Sequence, residues 1–369
     1  MQRRTHPQRR SVHLLAVVAA GVLAACQPSV SATGPAAAPS PSRTSGSLPT
    51  AGSTPPPATG SRSVDTATPG AVSSGQVAPA PAETADGYAA GTTGGAAGAT
   101  VTVSTAAELT RYAGATDPYV IRIASTISLS GQIKVTSNKT IIGTSGNAGL
   151  TGGGLNIRGA GNVIVRNLTI SKAVGTDAIS VYGSQHVWIT QNDLSSDLAH
   201  GKDYYDGLLD ITKASDFVTV SWNRFHDHYK VMLIGASDDD TTDKGRLHVT
   251  VHHNYFRDVN SRLPSLRFGT GHVYDNVFQN ADTAVNSRMG ATVLLQANVF
   301  RAVGTPVITT GYGPQDGTVV LATDHPNDFG GATPAGTTAG SSTVSLPYSS
   351  TVEPAATVAT SVPAGAGPR

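Results

Sequence analysis

Cysteine is almost missing from this chain: Cys26 is the only one in 369 residues, so no intrachain disulfide can help to hold a fold together. Aromatic side chains are scarce at 5%, with tryptophan only at Trp188 and Trp222, while glycine fills 41 positions. That balance argues against a helical bundle and suits many short strands. An excess of either charge is lacking too, since 25 lysines and arginines face 24 acids. No general attraction to nucleic acid or to a membrane surface is therefore indicated. The apolar run near the N-terminus is too short to span a bilayer.

What is present divides the chain into three parts. Residues 1–26, "MQRRTHPQRRSVHLLAVVAAGVLAAC", have a basic start, an apolar middle and small residues at the end, which is an export signal. The closing "LAAC" resembles a bacterial lipoprotein signal, in which Cys26 is lipidated and becomes the new N-terminus; ordinary cleavage among the alanines is the alternative. Arg9-Arg10 fits a twin-arginine leader weakly. Either way the protein is expected outside the cytoplasm, secreted or anchored through Cys26. Residues 27–95 are Pro, Ala, Ser, Thr and Gly with almost no large apolar side chain. Such a segment cannot offset its chain entropy by burial and is expected to be a disordered linker. Residues 96–369 are long enough for one sizeable core, and a monomer is expected.

That last part repeats itself. "NVIVRNLTI" (from Asn162), "HVWITQNDL" (His186), "FVTVSWNRF" (Phe217), "HVTVHHNYF" (His248), "HVYDNVFQN" (His272) and "TVLLQANVF" (Thr292) each give a short alternating β run, an asparagine and often a phenylalanine two residues later. The asparagines are Asn167, Asn192, Asn223, Asn254, Asn276 and Asn298; the phenylalanines are Phe225, Phe256, Phe278 and Phe300. Units about twenty to thirty residues apart mark a solenoid. Asparagine tolerates the left-handed bend each unit needs, and stacked turns let its amide bond to the next. These residues are read as scaffold. A leucine-rich-repeat horseshoe lacks its leucine spacing and helices here. An all-β, right-handed parallel β-helix is expected, with a groove along one face suited to a long polymer.

Charged residues collect on particular repeats. Asp206 and Asp210 open one unit and Asp177 precedes the strand of the unit before. With the two units in equivalent phase these acids would converge about 5 Å apart. Three carboxylates without balancing bases imply a hard cation with oxygen ligands, read here as Ca2+; single aspartates serving turns are the plain alternative. His226, His228, His252 and His253 fall in or beside strands, where alternate side chains face opposite ways, and are read as packing or substrate contacts rather than a zinc set. The stretch "SDDDTTDK", residues 237–244, is read as a solvated loop. Lys230 closes one unit, and Arg262 and Arg267 flank a proline in "NSRLPSLRFGTGHVYDN" after the next. A groove with bound cation on one wall and these bases on the other fits a polyanion bearing carboxylates; a network of ion pairs with the aspartates is the alternative.

The run from "HGKDYYDGLLDI" through "VTVSWNRFHDHYK", "HHNYF", "NSRLPSLRFGTGHVYDN" and "NSRMGA" resembles the pectate lyase family, polysaccharide lyase family 1, over residues 101–369. The resemblance implies that the closing "LPYSSTVEPAATVATSVPAGAG" packs back on the β-helix. It implies Asp177, Asp206 and Asp210 as calcium ligands and Arg262 as the base that takes a sugar C5 proton. It makes Lys230 and Arg267 grips for substrate carboxylates, with Arg288 a further contact. The substrate implied is polygalacturonate, cleaved by β-elimination. A guanidinium ordinarily keeps its proton, so such a base implies activity rising into alkaline pH. One departure stands out: the family's "WIDH" is "WITQ" here, with Thr190 and Gln191. Strand alternation puts one of the two inward, so a buried polar contact is expected to differ rather than the groove. The rival readings are a calcium-independent pectin lyase, which should lack the acidic triad, and a non-catalytic module that only binds acidic polysaccharide.

Overall fold

The structure, a computed structural model, describes residues 84–335 and 344–369. The leader, Cys26 and the linker up to residue 83 lie outside the described residues.

Short parallel strands stack coil upon coil, as the repeats demand. One sheet has ten strands, from Ala99–Val103 to Thr318–Leu321, and a second has fourteen. Long strand Val277–Arg288 lies between the two arms of the second sheet, pairing with Tyr255–Ser261 through its first half and with Ser265–Arg267 through its second. Registers keep like beside like: Val187 lies between Val163 and Val218, and Ile179 between Leu155 and Leu209. These inward side chains are fully buried and form one continuous core. This is the expected parallel β-helix.

Two columns run up the interior. Asn192, Asn223, Asn254, Asn276, Asn298 and Asn327 form a ladder, each amide nitrogen of the first five donating to the next side-chain oxygen at 2.9–3.0 Å. That same oxygen also accepts the backbone N–H of the asparagine below. Asn167 stands outside the ladder; its amide bonds Gly143 and Arg369 instead. The bend is also carried differently from expectation. Asn167 takes the left-handed conformation itself (φ 63°), but at the first five ladder asparagines the left-handed residue is the one before (Gln191, Trp222, His253, Asp275, Ala297; φ 48° to 55°), and the asparagine side chain satisfies the backbone around it. The phenylalanines stack as expected, Phe225–Phe256–Phe278–Phe300, with centroids 4.7–5.0 Å apart, and Phe329 extends the column.

Helix Ala106–Ala113 starts with a capping box between Thr105 and Glu108 and buries Leu109 and Ala113 in the core beside the first coils. Residues 84–95, assigned by composition to the linker, are instead a strap across the outside of the ten-stranded sheet. Its backbone N–H groups donate to side-chain oxygens of Thr250, Thr219, Asn162 and Thr140 at 2.7–3.0 Å, and Tyr88 and Ala89 are buried. The boundary at 96 is corrected accordingly: a chain poor in large apolar groups is fixed here by hydrogen bonds to outward side chains of the sheet.

Thr190 and Gln191 also lie outside the solenoid core, both buried. Thr190 accepts from Ser221, which takes the Trp188 indole N–H at 3.0 Å, and Gln191 accepts from Arg166. Trp188 packs on Ala89 of the strap. Alternation aims Ile189, not Thr190, inward. The departure from "WIDH" therefore touches the contact between sheet and strap, away from the charged groove.

The closing segment packs back as expected. Helix Ala355–Gly365 lays Val358 and Val362 on Tyr255, Val277 and Val299, and Arg369 N–H donates to Asn167 Oδ1 at 2.7 Å. Where this segment meets the strap, a cluster of titratable side chains closes around a cavity of about 400 Å3. His252 Nδ1 and His253 Nδ1 are 2.8 Å apart, so one proton serves both; His252 Nε2 faces Asp86 at 3.1 Å and His253 Nε2 faces Glu353 at 3.0 Å. Asp275 accepts the Glu353 backbone N–H. Burial pushes His253 down to about 4 and Asp275 up to about 8.

Candidate active site

The charged groove lies on the second sheet, on the arm formed by Ile179–Tyr182, Leu209–Thr212, Leu233–Ile234 and Ser265–Arg267. Asp210 sits within its strand and is in register with Ser180. By the same register Asp177 aligns with Gly207, so the expectation of equal phase is corrected. Convergence is achieved another way. Asp177, ahead of its strand, accepts Ser180 Oγ–H at 2.6 Å and Gly207 N–H at 2.8 Å. Gln132 holds Ser180 from the far side, its amide 2.7 Å from the hydroxyl.

Gly207 is the key to the spacing. A Cβ built there falls 2.4 Å from Asp210 Oδ1 and 2.9 Å from Asp177 Oδ1. Two carboxylate oxygens thus border the same small space, which a side chain would fill. Burial raises Asp177 from its ordinary value, and burial followed by the Asp177 charge raises Asp210 well above its own. Such a pair is relieved by a proton or by a cation with a preference for oxygen.

Asp206 does not join them. It is exposed and turns to Lys230 Nζ at 3.2 Å, where Asp203 also binds at 3.1 Å. Among the described residues no three His, Cys, Asp or Glu side chains are gathered as a metal-binding group; the expected triad is a converged pair with its third member one residue from Gly207. His228 fixes that segment, with Nε2 against the Asp206 carbonyl at 2.7 Å and Nδ1 against Ser196. None of the four histidines forms a zinc set.

Arg262 lies two coils on. The Leu233 backbone N–H donates to Asp210 Oδ1 at 3.1 Å and the neighbouring Met232 N–H to the Arg262 carbonyl at 2.8 Å, so one coil separates them. Leu263 and Leu266 bury into the core, and Arg262 occupies the left-handed region with φ 64°. That conformation costs a side-chain-bearing residue about 1 kcal/mol. Lys230 is in register with Ser261, next to Arg262. Among the described residues the Arg262 guanidinium has no ion-pair or hydrogen-bond partner, yet its charge acts on both Asp203 and Asp210.

The other arginines are held. Arg267 Nε donates to Asp238 at 2.7 Å and Arg288 Nη2 donates to the other Asp238 oxygen; the Arg267 bond is the main reason the Asp238 carboxyl lies low. Asp238 belongs to the stretch read as a solvated loop, so that reading is corrected at this position. An ion pair with the candidate aspartates forms only for Lys230, with Asp206; Arg267 pairs with Asp238 instead, and Arg262 pairs with none of them.

A parallel β-helix whose groove sets a converged carboxylate pair beside one unpaired arginine defines a protein built to handle a polyanionic chain. The comparisons specify it further. The family model described as pectate lyase matches residues 62–365. Pectate lyase A of Emericella nidulans is 41% identical over 257 residues, covering 68% of this chain and 76% of its own. Pectate lyase plyB of the same organism is 44% identical over 285 residues, 75% of this chain and 85% of its own. Among solved structures, a pectate lyase from Bacillus sp. N165 in complex with trigalacturonate superposes with TM-score 0.69 at 31% identity, over 77% of this chain and 98% of its own. A Xanthomonas campestris pectate lyase variant superposes with TM-score 0.64 at 29% identity, over 76% and 97%. The chain belongs to the pectate lyase family and is a polysaccharide lyase.

Proposed function

We propose that this lyase cleaves (1→4)-α-D-galacturonan by calcium-dependent β-elimination, leaving 4,5-unsaturated oligogalacturonides. The observation that carries the reading is the unpaired Arg262 guanidinium in a groove where Lys230, Arg267 and Arg288 are each held by an aspartate. A base must be free to meet its proton; grips that orient a carboxylate are better held still. Asp177 and Asp210 fit a hard cation because their oxygens border one space left open by Gly207, and Asp206 is the third residue proposed to hold it. Calcium bound there supplies positive charge to the substrate carboxylate, which makes the neighbouring C5 proton easier to remove. Arg262, in its neutral guanidine form, takes that proton, the C4–O4 bond breaks as O4 leaves and gains a proton from water, and Lys230, Arg267 and Arg288 bind carboxylates along the chain. The protein acts as a monomer outside the cytoplasm, with Cys26 as a lipid anchor; labelling with a radioactive fatty acid, present in the natural chain and lost in Cys26→Ala, would establish the anchor.

The test is new ultraviolet absorbance from polygalacturonate with calcium at alkaline pH. Loss of the signal both with chelator and in Arg262→Ala supports the whole reading. Signal that survives chelator points to a calcium-independent pectin lyase. A folded protein that binds the polymer without any signal is a binding module.

A further inference from the structure

Nothing in the family resemblance or in the elimination chemistry gives a part to Asp238. It stands between strands Leu233–Ile234 and His248–His252, beside two other aspartates. What sets it apart is what it reaches. Arg267 and Arg288 are register partners on adjacent parallel strands, so their side chains leave the sheet about 5 Å apart. Two guanidiniums so placed repel one another. Asp238 bridges them with one oxygen each, Oδ1 to Arg267 Nε and Oδ2 to Arg288 Nη2.

The rest of the arrangement is fixed as well. Arg267 Nη1 donates to the Gly235 carbonyl at 2.9 Å, and the Arg288 guanidinium carbon lies 5.6 Å from the Tyr312 ring centroid. Both arginine side chains are only 12% exposed, against 27% for Asp238. Arg267 Nη2 and Arg288 Nη1 have no partner among the described residues, and Arg288 Nε is buried without one. The bridge therefore uses part of the donor set and leaves the remainder on two guanidiniums that cannot swing apart.

We propose that Asp238 is a positioning residue that locks Arg267 and Arg288 into a single receptor for a carboxylate of the galacturonan chain. This rests on the lyase reading above and goes beyond it by assigning substrate recognition to a pair rather than to two independent grips. The opposite role is a plug: a carboxylate occupying the place of the substrate's own, to be displaced on binding. The two roles predict opposite changes when Asp238 is removed.

The experiment compares Asp238→Asn with Asp239→Asn in the full chain. Both remove one negative charge from the same stretch, and Asp239 is exposed and makes no bridge, so the general attraction for a polyanion changes alike. The expected result is a KM for polygalacturonate about tenfold higher in Asp238→Asn than in Asp239→Asn, with kcat within a few-fold and partial recovery in Asp238→Glu. An Asp238→Asn KM equal to or below that of Asp239→Asn overturns the proposal, the lower value identifying a plug. Calorimetric titration with trigalacturonate makes the same comparison without turnover. If the natural protein cleaves nothing, the lyase reading falls, while the order of the two affinities still decides the role of Asp238. Equal melting temperatures for the two variants show that folding is not the cause.

Discussion

Two clusters of titratable groups sit on the two sheets of this solenoid, and they are built on opposite rules. Around His252 and His253 every ring nitrogen and one oxygen each of Asp86 and Glu353 meet another member of the cluster, and the partners come from the strap, the sheet and the closing segment. The result fastens three parts of the chain together. In the groove, Asp177 and Asp210 crowd their oxygens against one gap and Arg262 pairs with nothing among the described residues. Both clusters contain shifted carboxyls, so a shift alone does not mark chemistry. What separates them is the cation: each histidine ring nitrogen meets a neighbour, although Asp275 Oδ1 and Glu353 Oε2 are left without one, whereas the Arg262 guanidinium meets none among the described residues.

The sharpest way to break the contrast is to exchange the expected consequences. Arg262→Ala should cost about 1,000-fold or more in kcat, in line with removal of a general base, and leave the melting temperature within about 1 °C. Gly207→Ala should come next. Its methyl group occupies the gap between the two carboxylates, so calcium affinity measured by calorimetry should fall at least about tenfold. In the natural protein that affinity should also drop as pH falls, because Asp177 and Asp210 take up protons more readily than ordinary carboxyls and a ligand must be deprotonated.

His253→Ala should do the reverse of Arg262→Ala. Removing it leaves Glu353 buried opposite nothing, at a cost of about 2–3 kcal/mol in unfolding free energy, with kcat unchanged. A further pair of effects concerns pH. His253 is held below its ordinary 6.5, at about 4, so the unfolded chain binds more protons in that window and stability falls as pH drops through it. Asp275 is held above its ordinary 3.8, at about 8, so the folded chain binds the extra proton and stability falls as pH rises across that range. Asp275→Asn should flatten the alkaline limb of a melting-temperature profile and leave the acid limb in place. Loss of activity in step with either limb would erase the distinction between the clusters.

How much of this could be read beforehand depends on range along the chain. Asn254 and Phe256 declare themselves because each coil repeats the same local problem, and five or six solutions can be compared in one sequence. Even there the repeat hides which residue bends: the left-handed position is His253, while Asn254 satisfies the backbone. Asp177, Asp210 and Arg262 are legible as types beside strands, but their meeting depends on register. The true register sets Asp177 beside Gly207 and Asp210 beside Ser180, and a glycine carries no sign of what it makes room for.

Asp238 could not be told from Asp239 and Asp240, since only the distance to Arg267 and Arg288 distinguishes it. A signal was available for helix Ala106–Ala113, in the Thr105 and Glu108 capping pair. The strap is the hardest case. Its Gly, Ala and Thr residues resemble linker because what fixes them, Thr140, Asn162, Thr219 and Thr250, lies 45 to 162 residues away.

That strap also decides how the molecule bears a load. A pull on the chain ahead of residue 84 reaches first the contacts with His252 and Thr250, and only later those with Thr219, Asn162 and Thr140. Drawn away from the surface, they open one after another, like a seam, and each is worth about 1 kcal/mol. Twelve residues peeled free extend by about 40 Å before any coil of the solenoid feels the force. The groove, on the other sheet, keeps its shape while the strap gives.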